Sequence, residues 1–407
     1  MELGKILKYQ KGKAPGLTKG GNEFVVYLSP EYLRNKAQPT LIPDFWGKVE
    51  VLEKDLLLLW DGSNAGEFFV GKRGVLSSTM VKFTFDEEAY DKSFLYYQLK
   101  FVESYLKART NGSGIPHVDK EILFSINIEH FSTSEQRAIA AILSKIDAAI
   151  AETEQLIAKY SRIKTGLMHD LLTKGIDDDG NIRSEETHEF KDSPLGRIPK
   201  EWEVVSLEDI KELITSGSRG WAQYYAEEGS VFIRITNLKR KQIHIDLSEL
   251  KFVKLPPSAE GTRAKLVQGD LLISITADLG IIGVVSDNLE DAYINQHIAL
   301  VRLQQENINS KFIGYFFSSY IGQSLFFLLN EGGAKSGLSL KTVAQLPVLK
   351  LSLPEQNEIV DKIEKQYKSI VQLHQTLTKL HSLKAGLMQD LLSGRVRVPV
   401  VERSAGE

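Results

Sequence analysis

The chain has 407 residues, 42% hydrophobic and 25% charged, with a formal net charge of −3; this is the composition of a globular protein long enough for two or three filled cores. It contains no cysteine, so disulfides, thiol nucleophiles and thiolate metal sites are excluded. The net charge argues against wholesale nucleic-acid binding, but it hides uneven distribution: Lys5, Lys8, Lys11, Lys13 and Lys19 crowd the start, and Asp177, Asp178, Asp179, Glu185, Glu186, Glu189 and Asp192 crowd the middle. The opening MELGKILKYQKGK lacks the apolar run of a signal peptide, and no apolar run is long enough to span a membrane. A cytoplasmic protein without membrane contact is expected.

In chain order, residues 1–131 mix short or alternating apolar runs (FVVYL, DLLLLW) with the helical stretch FLYYQLKFVESYLKA, the pattern of an α+β domain. Residues 132–174 read as one long helix. It opens on a capping box, Ser132 with Glu135, and carries apolar residues at three and four: Ile139, Ile142, Ile146, Ile150, Ile157, Tyr160, Leu167, Leu171. Residues 175–198 are acidic, punctuated by Gly and Pro, and read as a linker. Residues 199–351 repeat the α+β pattern with LLISIT, HIALVRL and FIGYFFSSYIGQSLFFLL. A second long helix, 352–394, opens on Ser352 and Glu355 and shows Ile359, Ile363, Ile370, Leu373, Leu377, Leu380, Leu387 and Leu391. A tail, 395–407, closes the chain. Both helices carry a coiled-coil seam, and the simplest partner for each is the other. About 40 residues make a rod of about 60 Å.

The two helices are copies. Aligning position n with n + 220 from Ser132/Ser352 to Leu172/Leu392 gives 15 identities in 41 positions without a gap, among them Glu135/Glu355, Gln136/Gln356, Lys164/Lys384, Gly166/Gly386, Met168/Met388, Asp170/Asp390 and Leu171/Leu391. The preceding segments match with drifting offset: Leu3 with Leu207, Phe24 with Phe232, Asp55 with Asp270, and Gly114-Ile115 with Gly337-Leu338. Drift between matching strands means loop insertions, as when one fold carries two different surfaces. The second domain is led in by PKEWEVVSL and the first by Met1-Glu2-Leu3 alone, so either the first lacks an N-terminal strand or the other half completes its surface.

Catalytic signatures are absent. GKAPGLTKG at 12–20 has the wrong spacing for a phosphate-binding loop, and no dinucleotide, zinc-protease or hydrolase-nucleophile motif occurs. His374 and His381 lie two helical turns apart without a third ligand, so no metal is expected. Asp55 and Asp270, at matching strand starts, favour a turn role over acid–base work. The chain is read as non-catalytic, a scaffold that displays loops.

At this point the residues resemble the specificity (S) subunit of type I restriction–modification systems. The resemblance rests on GLMHDLLTKG (166–175) and GLMQDLLSGR (386–395), LPEQ (353–356), GRIPKEWEVVSL and SGSRGWAQYY (216–225), in the order domain, helix, domain, helix. It implies two target recognition domains, each reading one half of a bipartite double-stranded DNA target. It further implies an antiparallel helix pair with an internal pseudo-twofold that sets the spacer and docks two methyltransferase (M) subunits, with restriction (R) subunits beyond. S-adenosylmethionine, ATP and Mg would then sit on those partners, and no cofactor on this chain. Under that resemblance the DNA-binding candidates are Lys11, Lys13, Lys19, Asn111 and Ser113 in the first domain. In the second they are Ser216, Ser218, Arg219, Lys239, Arg240, Lys241, Lys335 and Ser336, residue types that bind phosphates or base edges. Docking and helix packing fall to Gly166, Leu167, Asp170, Leu171, Gly386, Leu387, Asp390 and Leu391. The two glycines either admit a partner's backbone or relieve crowding within the helix pair. The competing reading, from a different class, is a tandem-repeat coiled-coil adaptor that binds only proteins.

Overall fold

Four consecutive leucines, Leu56–Leu59, form a strand with no polar face, and their alternation shows why. Leu56 and Leu58 point into one core with Phe68, Val81, Leu95 and Leu99, whereas Leu57 and Leu59 point into another with Leu28, Val51, Leu76 and Met80. Side chains of a strand alternate between faces, so a strand covered on both sides must be apolar throughout. The second domain solves the same problem at Leu271–Ser274, with Leu271 and Ile273 in one core and Leu272 in the other.

The computed structural model describes residues 1–18, 23–112, 114–217, 220–255, 262–276, 278–286, 289, 291–331 and 337–399. The chain forms two compact units: one comprises Met1–Gln155 with His374–Glu407, the other Leu156–Leu373. Each unit therefore holds one globular domain, the beginning of its own long helix and the end of the other.

In the first unit an antiparallel sheet runs in the order Lys8–Lys11, Met80–Thr84, Leu56–Leu59, Phe68–Val70. A second sheet runs Thr40–Pro43, Phe24–Leu28, Gly74–Leu76, Glu50–Val51, and its central pair is parallel. The helix Lys92–Lys107, capped by Asp91 on the Phe94 amide, covers the outer face of the first sheet. The second unit repeats this with Lys211–Ser216, Ile298–Leu303, Leu271–Ser274 and Ile282–Val284 in the same order. Its other sheet again centres on a parallel pair, Ser230–Ile233 with Ala292–Ile294. The covering helix is broken into Ser310–Ser318 and Tyr320–Glu331. Among the described residues no single helix is long and apolar enough to cross a membrane.

The long helices are Thr133–Thr173 and Leu353–Leu392. In the first unit Ile139, Ala140 and Leu143 near the start of one pack with Leu387, Leu391 and Leu392 near the end of the other. In the second unit Ile359, Val360 and Ile363 pack with Met168, Leu171 and Leu172. Start against end in both units is antiparallel packing. Leu171 and Leu391 are thus core residues, with Leu167 and Leu387 half-buried beside them.

The repeated Glu-Gln pair fixes these junctions. Gln136 is buried; its Nε2 donates to the carbonyls of Phe131 (3.0 Å) and Ala89 (3.1 Å), and its Oε1 accepts from Asp91 N at 2.9 Å. Gln356 does the same with Leu351 O (2.9 Å), Asn307 O (3.1 Å) and Asn309 N (2.9 Å). Beside them, Glu135 takes Arg397 and Glu355 takes Arg183, each arginine coming from the segment after the other helix. The expected capping boxes differ. At Ser132 the box closes, with Glu135 accepting from Ser132 N at 3.1 Å. At Ser352 only half forms, because the Glu355 carboxylate is occupied by Ile176 N, Trp202 Nε1 and Arg183.

Two further expectations are corrected. The acidic segment 175–198 is no loose linker: Ile176, Leu195 and Ile198 enter the second core, and Phe190–Ser193 pairs with Gly196–Pro199 as a hairpin. The apolar residues among the charges hold it down. The first unit has no strand equivalent to Glu203–Ser206, only an isolated bridge. Glu203–Ser206 pairs with Pro347–Lys350, and in the first unit the bridge Glu2↔Asn127 occupies the register position of Ser206↔Pro347. The structural counterpart of Leu338 is Val118, not Ile115, since Val118 N donates to Trp60 O (2.9 Å) as Leu338 N does to Ile275 O (2.8 Å). Asp55 and Asp270 serve turns, accepting from Leu52 N and Val267 N at 2.8 Å each.

A polar network also recurs. Tyr97 donates to Asp147 (2.8 Å), which pairs with Lys384 (2.5 Å). Tyr315 donates to Glu364 (2.7 Å), which also meets His244 at 3.2 Å, while Lys164 lies over the rings of Tyr315 and Tyr367. Burial pushes the Lys164 ammonium down and Glu364 opposes it. Burial also disfavours the charged form of Glu364, but hydrogen bonds from His244 and Tyr315 outweigh it and hold that carboxyl down to about 2.

Two expectations are testable by urea unfolding. Glu355→Ala leaves Arg183 with only the half-exposed Glu201 at 3.0 Å and strands Ile176 N and Trp202 Nε1, costing about 3 kcal/mol, whereas Glu135→Ala costs clearly less because Arg397 is half exposed. For Glu364 the native carboxyl titrates below the unfolded one, so its stabilisation is complete above roughly pH 5 and fades as pH falls toward 2. The stability gap between the unaltered chain and Glu364→Gln should therefore narrow between pH 6 and pH 3.

Candidate nucleic-acid interface

The end of each antiparallel sheet gathers loops from distant parts of the chain. In the first unit the turn at Lys11–Gly12 lies against Ser77–Met80: Gly12 N donates to Met80 O at 2.9 Å, and a Cβ on Gly12 would stand 2.0 Å from Ser77 O. Trp60 and Asp61 both donate to Thr79 O (2.8 and 3.1 Å), and Asn111 exchanges backbone hydrogen bonds with His117, which also bridges Asp61. Ser77 Oγ and Thr79 Oγ1 lie 3.0 Å apart. The edge is therefore lined by Lys11, Ser77, Ser78, Thr79, Asn111 and His117.

The second unit builds the same edge with different side chains. A Cβ on Gly217 would stand 2.0 Å from Ile294 O, so only glycine lets the turn after Ser216 approach the strand end. Asn295 N donates to Ile233 O (3.1 Å), Ile275 N to His297 O (2.9 Å), and Leu338 N to Ile275 O (2.8 Å). Ser216, Arg234, Thr276, Asn295, Gln296 and His297 thus converge. Asn295 Oδ1 accepts from His297 N at 3.3 Å, and the Gln296 Nε2 and His297 Nε2 atoms are 3.1 Å apart.

The sequence-derived candidates divide. Lys11, Asn111 and Ser216 lie on these edges, and Lys13 packs over Gly47. Lys11 is paired with Asp61 at 2.7 Å, and Asn111 donates its side chain to Asp119, so each is tied locally. Lys239, Arg240 and Lys241 form a separate turn. Lys239 pairs with Asp246 (3.3 Å), whose carboxyl is held down to about 2 by Ser248 and then by Lys239. Arg240 is held by Asp278, Gln323 Oε1 and Leu279 O, beside a cleft of about 480 Å³ that includes Tyr320 and Phe327. The Lys241 carbonyl accepts from Lys164 at 3.4 Å. Lys19, Ser113, Ser218, Arg219, Lys335 and Ser336 lie outside the described residues. Sequence reading did not single out Arg234, Asn295, Gln296, Ser77 or Ser78, which these edges bring together; the one signal near them was the match of Phe24 with Phe232.

On the long helices, Cβ atoms built on Gly166 and Gly386 would meet nothing within 4 Å. Relief of crowding within the helix pair is therefore not their role. Ile163 and Leu383, matching positions one turn earlier, are 42% and 50% exposed. Asp170 and Asp390 pair with Lys174 and Arg395 on the same stretches. Among the described residues no group of three or more His, Asp or Glu side chains is arranged to hold a metal ion.

An α+β module present twice, each copy closed by the ends of two long helices and each ending in its own loop cluster, defines a duplicated recognition subunit. The family model described as type I restriction modification DNA specificity domain matches residues 1–160 and 199–381, and the chain belongs to that family. The type I restriction enzyme MjaVIII specificity subunit of Methanocaldococcus jannaschii is 32% identical over 98% of this chain and 92% of its own length. The EcoBI specificity subunit of Escherichia coli is 23% identical over 85% and 74%. The crystal structure of a type I S subunit from M. genitalium has a TM-score of 0.61 at 16% identity, covering 96% of this chain and 95% of that one. A chain from a structure of a type I restriction–modification system gives 0.52, also at 16%, over 96% and 98%. At such identity the likeness concerns the fold.

The two glycine approaches give a direct test. Gly12→Ala and Gly217→Ala each force backbone apart and should cost about 1–3 kcal/mol, read as a drop of several degrees in melting midpoint. Gly16→Ala, which meets nothing within 4 Å, should leave the midpoint unchanged.

Proposed function

We propose that the chain addresses a DNA methyltransferase to a split target in double-stranded DNA, each globular domain reading one half. The observation that carries this is the pair of equivalent strand-end edges lined with different side chains. A common backbone with divergent edge residues suits a reader of two unlike half-sites. The long helices set the spacer between them.

The open faces around Ile163–Gly166–Asp170 and Leu383–Gly386–Asp390 then dock two identical methyltransferase subunits. A glycine with free space above it admits a partner's backbone, and identical faces suit identical partners. Restriction subunits join beyond these. The chemistry, with S-adenosylmethionine, ATP and Mg, belongs to those partners in the cytoplasm, and this chain is non-catalytic.

The decisive experiment is methylome sequencing of cells expressing the neighbouring methyltransferase with and without this chain. Adenine methylation at a split motif only when the chain is present is the expected result; an active methyltransferase that marks no such motif would overturn the reading. Docking has its own check. Gly166→Leu and Gly386→Leu together should not lower the melting midpoint, since a Cβ at either position meets nothing within 4 Å and leucine is the better helix former, and should lower methyltransferase co-purification at least tenfold.

A further inference from the structure

Arg234 and Gln296 occupy a particular place in the second domain. Arg234 directly follows the strand Ser230–Ile233, and Asn295-Gln296 directly follows its parallel neighbour Ala292–Ile294. Two parallel strands end side by side here, joined by the hydrogen bond from Asn295 N to Ile233 O (3.1 Å). The turn at Gly217 lies against the same carbonyl end. The guanidinium of Arg234 is unlike those of Arg240 and Arg302, which are matched to Asp278 and Asp270. No carboxylate among the described residues pairs with Arg234, and its buried Nε finds no acceptor. Leaving such a donor unmet costs free energy unless something else accepts from it. Arg234 and Gln296 are both partly exposed, so an external acceptor has access.

The corresponding positions in the first domain follow Phe24–Leu28 and Gly74–Leu76. They hold Ser29 and Ser77-Ser78. Ser29 caps the next helix turn through Tyr32 N, and Ser77 is satisfied by Thr79. That contrast singles out the second domain. A planar arginine fork matches the O6 and N7 acceptors of guanine, and a glutamine amide matches N6 and N7 of adenine; lysine offers the charge without the fork's fixed planar geometry.

We propose that Arg234 and Gln296 are specificity-determining residues that contact purine edges in the half-site read by the second domain. This rests on the DNA-addressing reading above. The test uses the chain in complex with its methyltransferase, purified unaltered and as Arg234→Ala, Arg234→Lys and Gln296→Ala. Affinity is measured for the cognate duplex and for duplexes with single base-pair substitutions across both halves. The expected result is that the unaltered complex loses about tenfold or more at certain positions. Each alanine variant should erase that discrimination at one or two neighbouring positions of a single half, with the other half read as before. Arg234→Lys keeps the charge but not the fork and should weaken that discrimination, and melting midpoints confirm that the variants fold. Uniform weakening on every duplex would make these residues phosphate contacts and overturn the assignment, as would unchanged discrimination. An unaltered complex that shows no split preference overturns the functional reading itself, a result distinguishable from either.

Discussion

The buried amides of Gln136 and Gln356 hold together what the rest of each unit depends on. Each glutamine satisfies three backbone groups drawn from two places: the last turn before the long helix, and the loop that caps the domain's covering helix. A side-chain amide with two donors and an acceptor is suited to that task, and a carboxylate or an apolar residue is not. Removing it would strand buried carbonyls and an amide together. The angle at which the domain meets its helix follows from this junction, because the covering helix and the long helix start from the same amide.

Charge is used at the same junctions with different intensity. The Arg183–Glu355 pair is nearly dry and shares its carboxylate with Trp202 and Ile176 N, whereas Arg397–Glu135 is wetter and leaves Glu135 free to close its capping box. One motif thus yields two local solutions, and the buried one demands more partners. The Tyr–carboxylate–Lys arrangement shows a similar economy: Tyr97 with Asp147 and Lys384, Tyr315 with Glu364 near Lys164. The carboxylate moves by one helical turn between the copies, from the position of Asp147 to that of Ser144, and the tyrosine still reaches it.

The duplication and the long helices were legible because their identities are spaced without gaps and sit where packing tolerates little change. Gln136, Lys164, Met168, Leu171 and Leu172 are all buried, as are Gln356, Leu391 and Leu392. The acidic segment misled because its many charges outnumber Ile176, Leu195 and Ile198, yet three buried apolar groups suffice to fold it down. Edge chemistry was the least legible part. Arg234 and Gln296 lie 62 positions apart and become neighbours only through a parallel strand pairing, which local periodicity does not reveal. Basic residues in loops stand out by composition, and the structure ties Lys11 to Asp61, Lys239 to Asp246 and Arg240 to Asp278 instead.

The interleaving of the two units has a consequence for synthesis on the ribosome. The second unit has every segment it needs once Leu373 is made. The first unit has its own domain by residue 131 but needs Leu387, Met388, Leu391 and Leu392 to cover Phe94, Tyr97 and Phe131, and the Leu392 carbonyl to meet Gln98 at 3.0 Å. At roughly 5–20 residues per second this is a wait of some tens of seconds. The domain that emerges first is thus the last to be closed, holding an uncovered apolar helix face until the chain is nearly finished, and a ribosome that stops short of Leu391 damages the beginning of the protein rather than its end.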